Sequence, residues 1–95
     1  MTMFLPGHAP YLAQFSYSVG GNQFFYSQNL LTKKWSIHEL LPGGKMGART
    51  ANGSWGFSYR VQFPVEIGTQ VFVYGQNLKD QNWFIQELLP GGEMG

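Results

Sequence analysis

Seven side chains are candidates for proton transfer near neutral pH: Glu39, Glu66, Asp80, Glu87, Glu93, His8 and His38. General acid–base chemistry needs two such groups converging on one point with separated pKa values. His38 and Glu39 are neighbours in the chain, and on a strand neighbours point to opposite faces. No nucleophile elbow, phosphate-cradling glycine loop or metal-ligand spacing accompanies them. With no cysteine in the chain, thiolate metal sites and disulfides are absent as well. The residues read as those of a non-catalytic protein that needs no cofactor and no metal.

Binding chemistry is better represented. Three Trp, five Tyr and eight Phe stand among 95 residues of which 12% are charged. Trp35 and Trp83 each follow a polar turn and open a segment that runs on to a glutamate, Glu39 or Glu87. Gln28-Asn29 and Gln76-Asn77 precede those turns and carry amide donors and acceptors. Tyr26 and Tyr74 lie two positions before the glutamines. An aromatic face beside amides and a carboxylate can stack on a sugar's C–H face and satisfy its hydroxyls. The structural alternatives are core packing for the tryptophans, turn chemistry for the asparagines and a backbone acceptor role for the glutamates. Trp55, Arg49 and Arg60 have no chemically similar counterpart in the other half, so any role for them belongs to one junction. Trp55 and Arg60 complete the candidate carbohydrate set.

The elements that must place these groups come in duplicate. FFYSQNLLTKKWSIHELLPGGKMG, residues 24–47, returns as FVYGQNLKDQNWFIQELLPGGEMG, residues 72–95, at an offset of 48 with no gap. From Tyr11 to Gly47, 19 of 37 positions match their partners. Within each copy, apolar and polar residues alternate with period two: Tyr11, Ala13, Phe15, Tyr17; then Phe24, Tyr26, Gln28; then Trp35, Ile37, Glu39, Leu41. Such alternation over five to seven residues predicts half-buried strands. Gly20-Gly21 and Gly43-Gly44 are turn signals. A fourth, polar strand is predicted over Gly47–Trp55 at the junction between copies, with Thr2–Leu5 as its equivalent in the first. The chain therefore reads as a single all-β domain, 1–95, of two tandem antiparallel units, 1–47 and 48–95.

Periods of 40–50 residues are typical of propeller blades, and a propeller closes only with four to eight of them. Two units leave unpaired edges and open faces, which self-association would cover. The expected assembly is a β-propeller completed by a homo-oligomer, a trimer in preference to a dimer. A pair of Greek keys in one sandwich is the competing architecture. QFFYSQN and QVFVYGQN resemble the opening of βγ-crystallin motifs, which would imply a structural module. That family's glycine after the aromatic hairpin is replaced here by Lys33-Lys34 and Gln81-Asn82.

Chain length, two repeats, an aromatic second strand and a third strand ending in IHEL or IQEL resemble the short fucose-binding lectins. In that family, two blades per chain trimerise into a six-bladed propeller. The resemblance implies a multivalent carbohydrate-binding lectin with glycans as partners, Glu39 and Glu87 serving as hydroxyl acceptors. It does not carry fucose specificity, because the arginine opening that family's second strand is Gln23 or Val71 here. An assembling repeat without a ligand is the third reading. A net charge of +1, without a basic cluster, points away from nucleic acid. No apolar run approaches a membrane span, and the start lacks the marks of a signal peptide. The sequence-level expectation is thus cytoplasmic synthesis, with any release by a non-standard route.

Overall fold

A computed structural model describes residues 12–77 and 79–95 of the chain. The strands are β1 (Leu12–Val19), β2 (Asn22–Asn29), β3 (Lys34–Leu41), β4 (Lys45–Ser54), β5 (Val61–Ile67), β6 (Gln70–Gln76) and β7 (Trp83–Leu88). They form an antiparallel sheet ordered β1-β2-β3-β4 and a second ordered β5-β6-β7. Within each sheet the strands pair in sequence order, a meander; among the described strands, the return of a fourth strand beside the first that defines a Greek key does not occur. The all-β expectation holds, and the predicted strands sit where the alternation puts them. Tyr11 and Thr2–Leu5 lie outside the described residues.

The turns follow from their residues. Val19 pairs with Asn22 across Gly20-Gly21, whose φ values are 63° and 83°. A two-residue hairpin with both central residues in the left-handed region matches the right-handed twist of its strands, and glycine reaches that region at no steric cost. Gly43 and Gly44, at 86° and 80°, turn β3 back into β4. Because that turn is so short, β4 pairs with β3 and completes the first sheet. The polar fourth strand thus belongs structurally to the unit before it. In the second sheet, Leu88 bridges Met94, the same pairing as Leu40 with Met46 one period earlier.

Matching residues of the two copies do not share a fate. Tyr17, Val19, Phe24, Tyr26, Trp35 and Ile37 of the first sheet are buried. They pack against Val71, Val73 and Leu88, which lie on the alternate face of the second sheet. The sheets are therefore stacked in series, front of one against back of the next. They approach most closely at β1 and β5, the first strand of each. This arrangement leaves the front of the second sheet open: Phe63 is 45% exposed, Trp83 63% and Ile85 46%.

Candidate functional site

Three of the sequence-predicted site residues, Tyr26, Gln28 and Trp35, lie between the sheets. Tyr26 and Gln28 are wholly buried and Trp35 is 8% exposed. Gln28 donates from Nε2 to the carbonyls of Lys33 (3.2 Å) and Phe57 (3.0 Å). Its Oε1 accepts from the Tyr59 amide (3.2 Å) and from Gln62 Nε2 (2.7 Å). With both hydrogens and both lone pairs engaged, this amide is a joint between the first sheet, the linker and β5, with nothing left for a ligand. Trp35 stacks at 5.5 Å on Trp55, which in turn lies 5.0 Å from Phe84 of the second sheet. Trp55 also donates its indole N–H to the Tyr26 hydroxyl at 3.0 Å. These residues are packed where the second sheet covers them, and Trp35 also borders the polar cleft described below.

Burial pushes the Tyr26 phenol well above its ordinary pKa, opposed in part by the Trp55 hydrogen bond. Tyr17 is raised in the same direction by burial alone. Its hydroxyl has no hydrogen-bond partner among the described residues. Tyr59 is raised by burial and, secondarily, by the negative charge of Asp80.

Asn29 and Asn77 cap matching turns. Asn29 Oδ1 accepts from the amides of Leu31 (2.9 Å) and Thr32 (3.2 Å), and Asn77 Oδ1 from that of Lys79 (2.9 Å). Both turns hold a non-glycine residue in the left-handed region, Lys33 at φ 67° and Gln81 at φ 65°. The amides of these residues bond back to the carbonyls of Asn29 and Asn77, each at 2.7 Å. The glutamates are placed differently from each other. Register shifts on either side of His38 break the β3–β4 ladder and leave Glu39 exposed in a cleft of about 520 Å³ with Asn22, Gln23 and Pro42. Glu87 is partly covered and accepts from Gln70 Nε2 at 3.2 Å. Trp83 and Tyr74 lie on the open front of the second sheet, stacked at 6.4 Å, with Gln76 in the same alternation. Arg60 is exposed just ahead of β5.

A polar concavity lies on the back of the first sheet. It encloses about 690 Å³ and is lined by Ser27, Asn29, Lys34, Ser36, Arg49 and Asn52, with Trp35 and Leu12 among its neighbours. β2 and β3 contribute the serines, and β4 adds Arg49 and Asn52. Hydroxyl, amide and cationic donors converge there, and among the described residues no carboxylate lines it. Of the sequence-predicted set, it gathers Asn29 and Trp35. The serines, Asn52, Lys34 and Arg49 were missed, since isolated polar residues on a strand's second face resemble an ordinary solvated surface. The polar run RTANGS within β4 was the available signal.

Comparison with protein-family models, with curated proteins and with solved structures finds no match for this chain. Among the described residues, no helix is long and apolar enough to cross a membrane.

Proposed function

We propose that this chain is a non-catalytic carbohydrate-binding module, multivalent through self-association into a ring of repeated units. The observation that carries this reading is the cleft behind the first sheet, where serine hydroxyls, two asparagine amides, Lys34 and Arg49 surround a volume fit for a small glycan. Sugars offer many hydroxyls in fixed positions, and a wall of short hydroxyl and amide groups meets them with donors and acceptors at modest ordering cost. Two cations facing no lining carboxylate favour a glycan carrying a negative charge, such as a sialic or uronic acid. A single shallow site of this kind is weak, and a ring of copies raises apparent affinity by roughly 10²–10⁴ through avidity. The ring expected from propeller geometry is a trimer of two-unit chains, with a dimer as the smaller closed form.

A glycan array holding sialylated, uronic and neutral sugars tests the reading. Charged sugars should give the strongest signals, and these should fade as salt rises from 50 to 500 mM. Arg49→Ala should weaken them by about tenfold, the equivalent of about 1.4 kcal/mol, with an unchanged circular dichroism spectrum. An array blank for the wild type would remove glycan binding and leave an assembling repeat without a ligand. That second reading has its own support, since Tyr26, Gln28 and Trp35 are consumed in packing.

A further inference from the structure

The two copies of the repeat carry the same aromatic ladder. In the first sheet, Phe15 stacks on Tyr26 at 4.9 Å and Tyr26 on Trp35 at 6.4 Å. In the second, Phe63 lies 5.1 Å from Tyr74, and Tyr74 stacks on Trp83 at 6.4 Å. The first ladder is covered by the back of the second sheet; the second ladder faces solvent, with Trp83 at 63% exposure against 8% for Trp35. The difference is not one of chemistry. It arises because the stack of two sheets ends there.

We propose that the open front of the second sheet docks a second copy of this chain, which presents the back of its first sheet. This deepens the glycan reading and rests on it for the ligand, because the docking brings Trp83 of one copy over the polar cleft of the next. Occupant and register follow from the contact already made inside the chain, continued by one period. The centre of the buried back face is Val73 and Leu88, both wholly buried. Their counterparts 48 residues earlier are Phe25 and Leu40, which are apolar and only partly covered. Around them lie exposed Gln14, Ser16, Ser18 and Gln23. An apolar centre inside a polar rim is the usual anatomy of an interface between separately soluble partners.

A second cleft repeats with the same offset. Thr69, Val71 and Pro90 form one wall of a cleft whose other wall is the Ser18–Gly21 hairpin. Gly21, Gln23 and Pro42 line the cleft at Glu39 on the first unit, where among the described residues no facing hairpin closes it. The Glu66–Thr69 hairpin of a second copy is the matching wall.

The repeat departs from itself where the ligand would sit. Within the chain, Trp55 and Phe84 fill the space in front of Trp35. The counterpart of Phe84 is Ser36, and Trp55 has no aromatic counterpart in the first copy. Between two copies, the described residues that would face Trp83 are therefore the small polar Ser27 and Ser36 of the cleft. An indole opposite hydroxyls and amides is a place for a sugar ring, one face stacked and its edge hydrogen-bonded. Front-to-back contacts are heterologous and must close into a ring to avoid open fibres.

Two variants separate the faces. Ile85→Lys places a charge on the open front, and Ser16→Arg a bulky charge on the exposed back of β1, away from the cleft lining. Light scattering should find a discrete closed oligomer for the wild type and monomers for each variant, with unchanged circular dichroism. Mixed in equal amounts, the variants should form a heterodimer and nothing larger, since one intact front then meets one intact back. Acrylamide quenching of tryptophan should be weaker in the assembled wild type than in either monomer. A monomeric wild type, or variants that assemble like it, would overturn the docking. Titration with free N-acetylneuraminic acid, monovalent and so blind to avidity, should show about tenfold weaker binding to Ile85→Lys than to the ring. Equal binding would overturn the closing of the cleft by Trp83. A wild-type ring that does not bind this sugar would remove the ligand reading and leave the docking standing.

Discussion

Gln28 and Gln76 are the same residue in the same place of the repeat, yet they do different work. Gln28 holds four hydrogen bonds in a site closed to solvent, among them one to the Tyr59 amide that begins the path into β5. Truncating it leaves the buried Tyr59 N–H without an acceptor, and an unsatisfied buried group costs about 1–3 kcal/mol beyond the lost bonds. Gln28→Ala should therefore lower unfolding stability by about 2–3 kcal/mol, and Gln76→Ala by less than about 1 kcal/mol, since Gln76 stands on the open front. Urea titrations of both variants check the contrast, and equal losses would mean that Gln28 is not a joint. Sequence alone could not separate them. The residue type advertised hydrogen-bonding capacity, but which partners came depended on the linker and on a second sheet stacked in series. For Asn29 and Asn77 the local reading sufficed, because an asparagine side chain finds its acceptor role within three residues.

At the scale of elements, alternation located the strands well because the side-chain period is two and β1, β2, β3 and β6 each bury residues of one face. It could not say which sheet owns β4, since the polar strand carries no strong alternation and the choice belongs to the Gly43-Gly44 turn. Nor could it say which face of the second sheet would be covered. Both faces of β6 are apolar, Val71 and Val73 against Phe72 and Tyr74, so the pattern permits either stacking. The turns test the outcome. Gly44 and Gly92 are counterparts with the same φ of 80°. A Cβ at Gly44 would meet nothing within 4 Å, whereas one at Gly92 would lie 2.5 Å from Thr50 Oγ1 and 2.6 Å from a Phe24 ring carbon. Thr50 also donates to the Gly92 carbonyl at 2.7 Å, fixing the loop to the first sheet. Alanine at either position bears the left-handed penalty of about 1–2 kcal/mol. Gly92→Ala should lose at least about 1 kcal/mol more, because the loop must also back away from Phe24. Thermal melts of the two variants at low concentration, where chains are apart, provide the comparison; equal melting temperatures would deny the contact.

For the whole molecule, a single core drawn from both sheets makes unfolding one event. Tyr17 and Tyr26 of the first sheet pack in one cluster with Val71, Val73 and Leu88 of the second, and Trp55 bridges them. Burial favours the neutral phenol at both tyrosines and raises their pKa in the fold above the unfolded value of about 10. A raised pKa of this kind contributes stability that is whole below about pH 10 and disappears as pH climbs toward the folded value, since the unfolded chain releases the protons first. Melting temperature should thus hold steady from pH 7 to about 9 and fall from about 10 upward. Far-ultraviolet circular dichroism and aromatic signals should collapse together, because neither sheet retains a buried face once the other leaves. Phenolate absorbance from the buried pair should rise with that collapse and lag behind an exposed tyrosine's titration. Tyr17→Phe sharpens the expectation: its hydroxyl has no partner among the described residues, so the variant should match or exceed wild-type stability at pH 7 and lose less of it above pH 10. Two separated transitions would mean that the sheets fold independently and that no shared core joins the copies, and a melting temperature indifferent to alkali would mean that the two phenols are not buried.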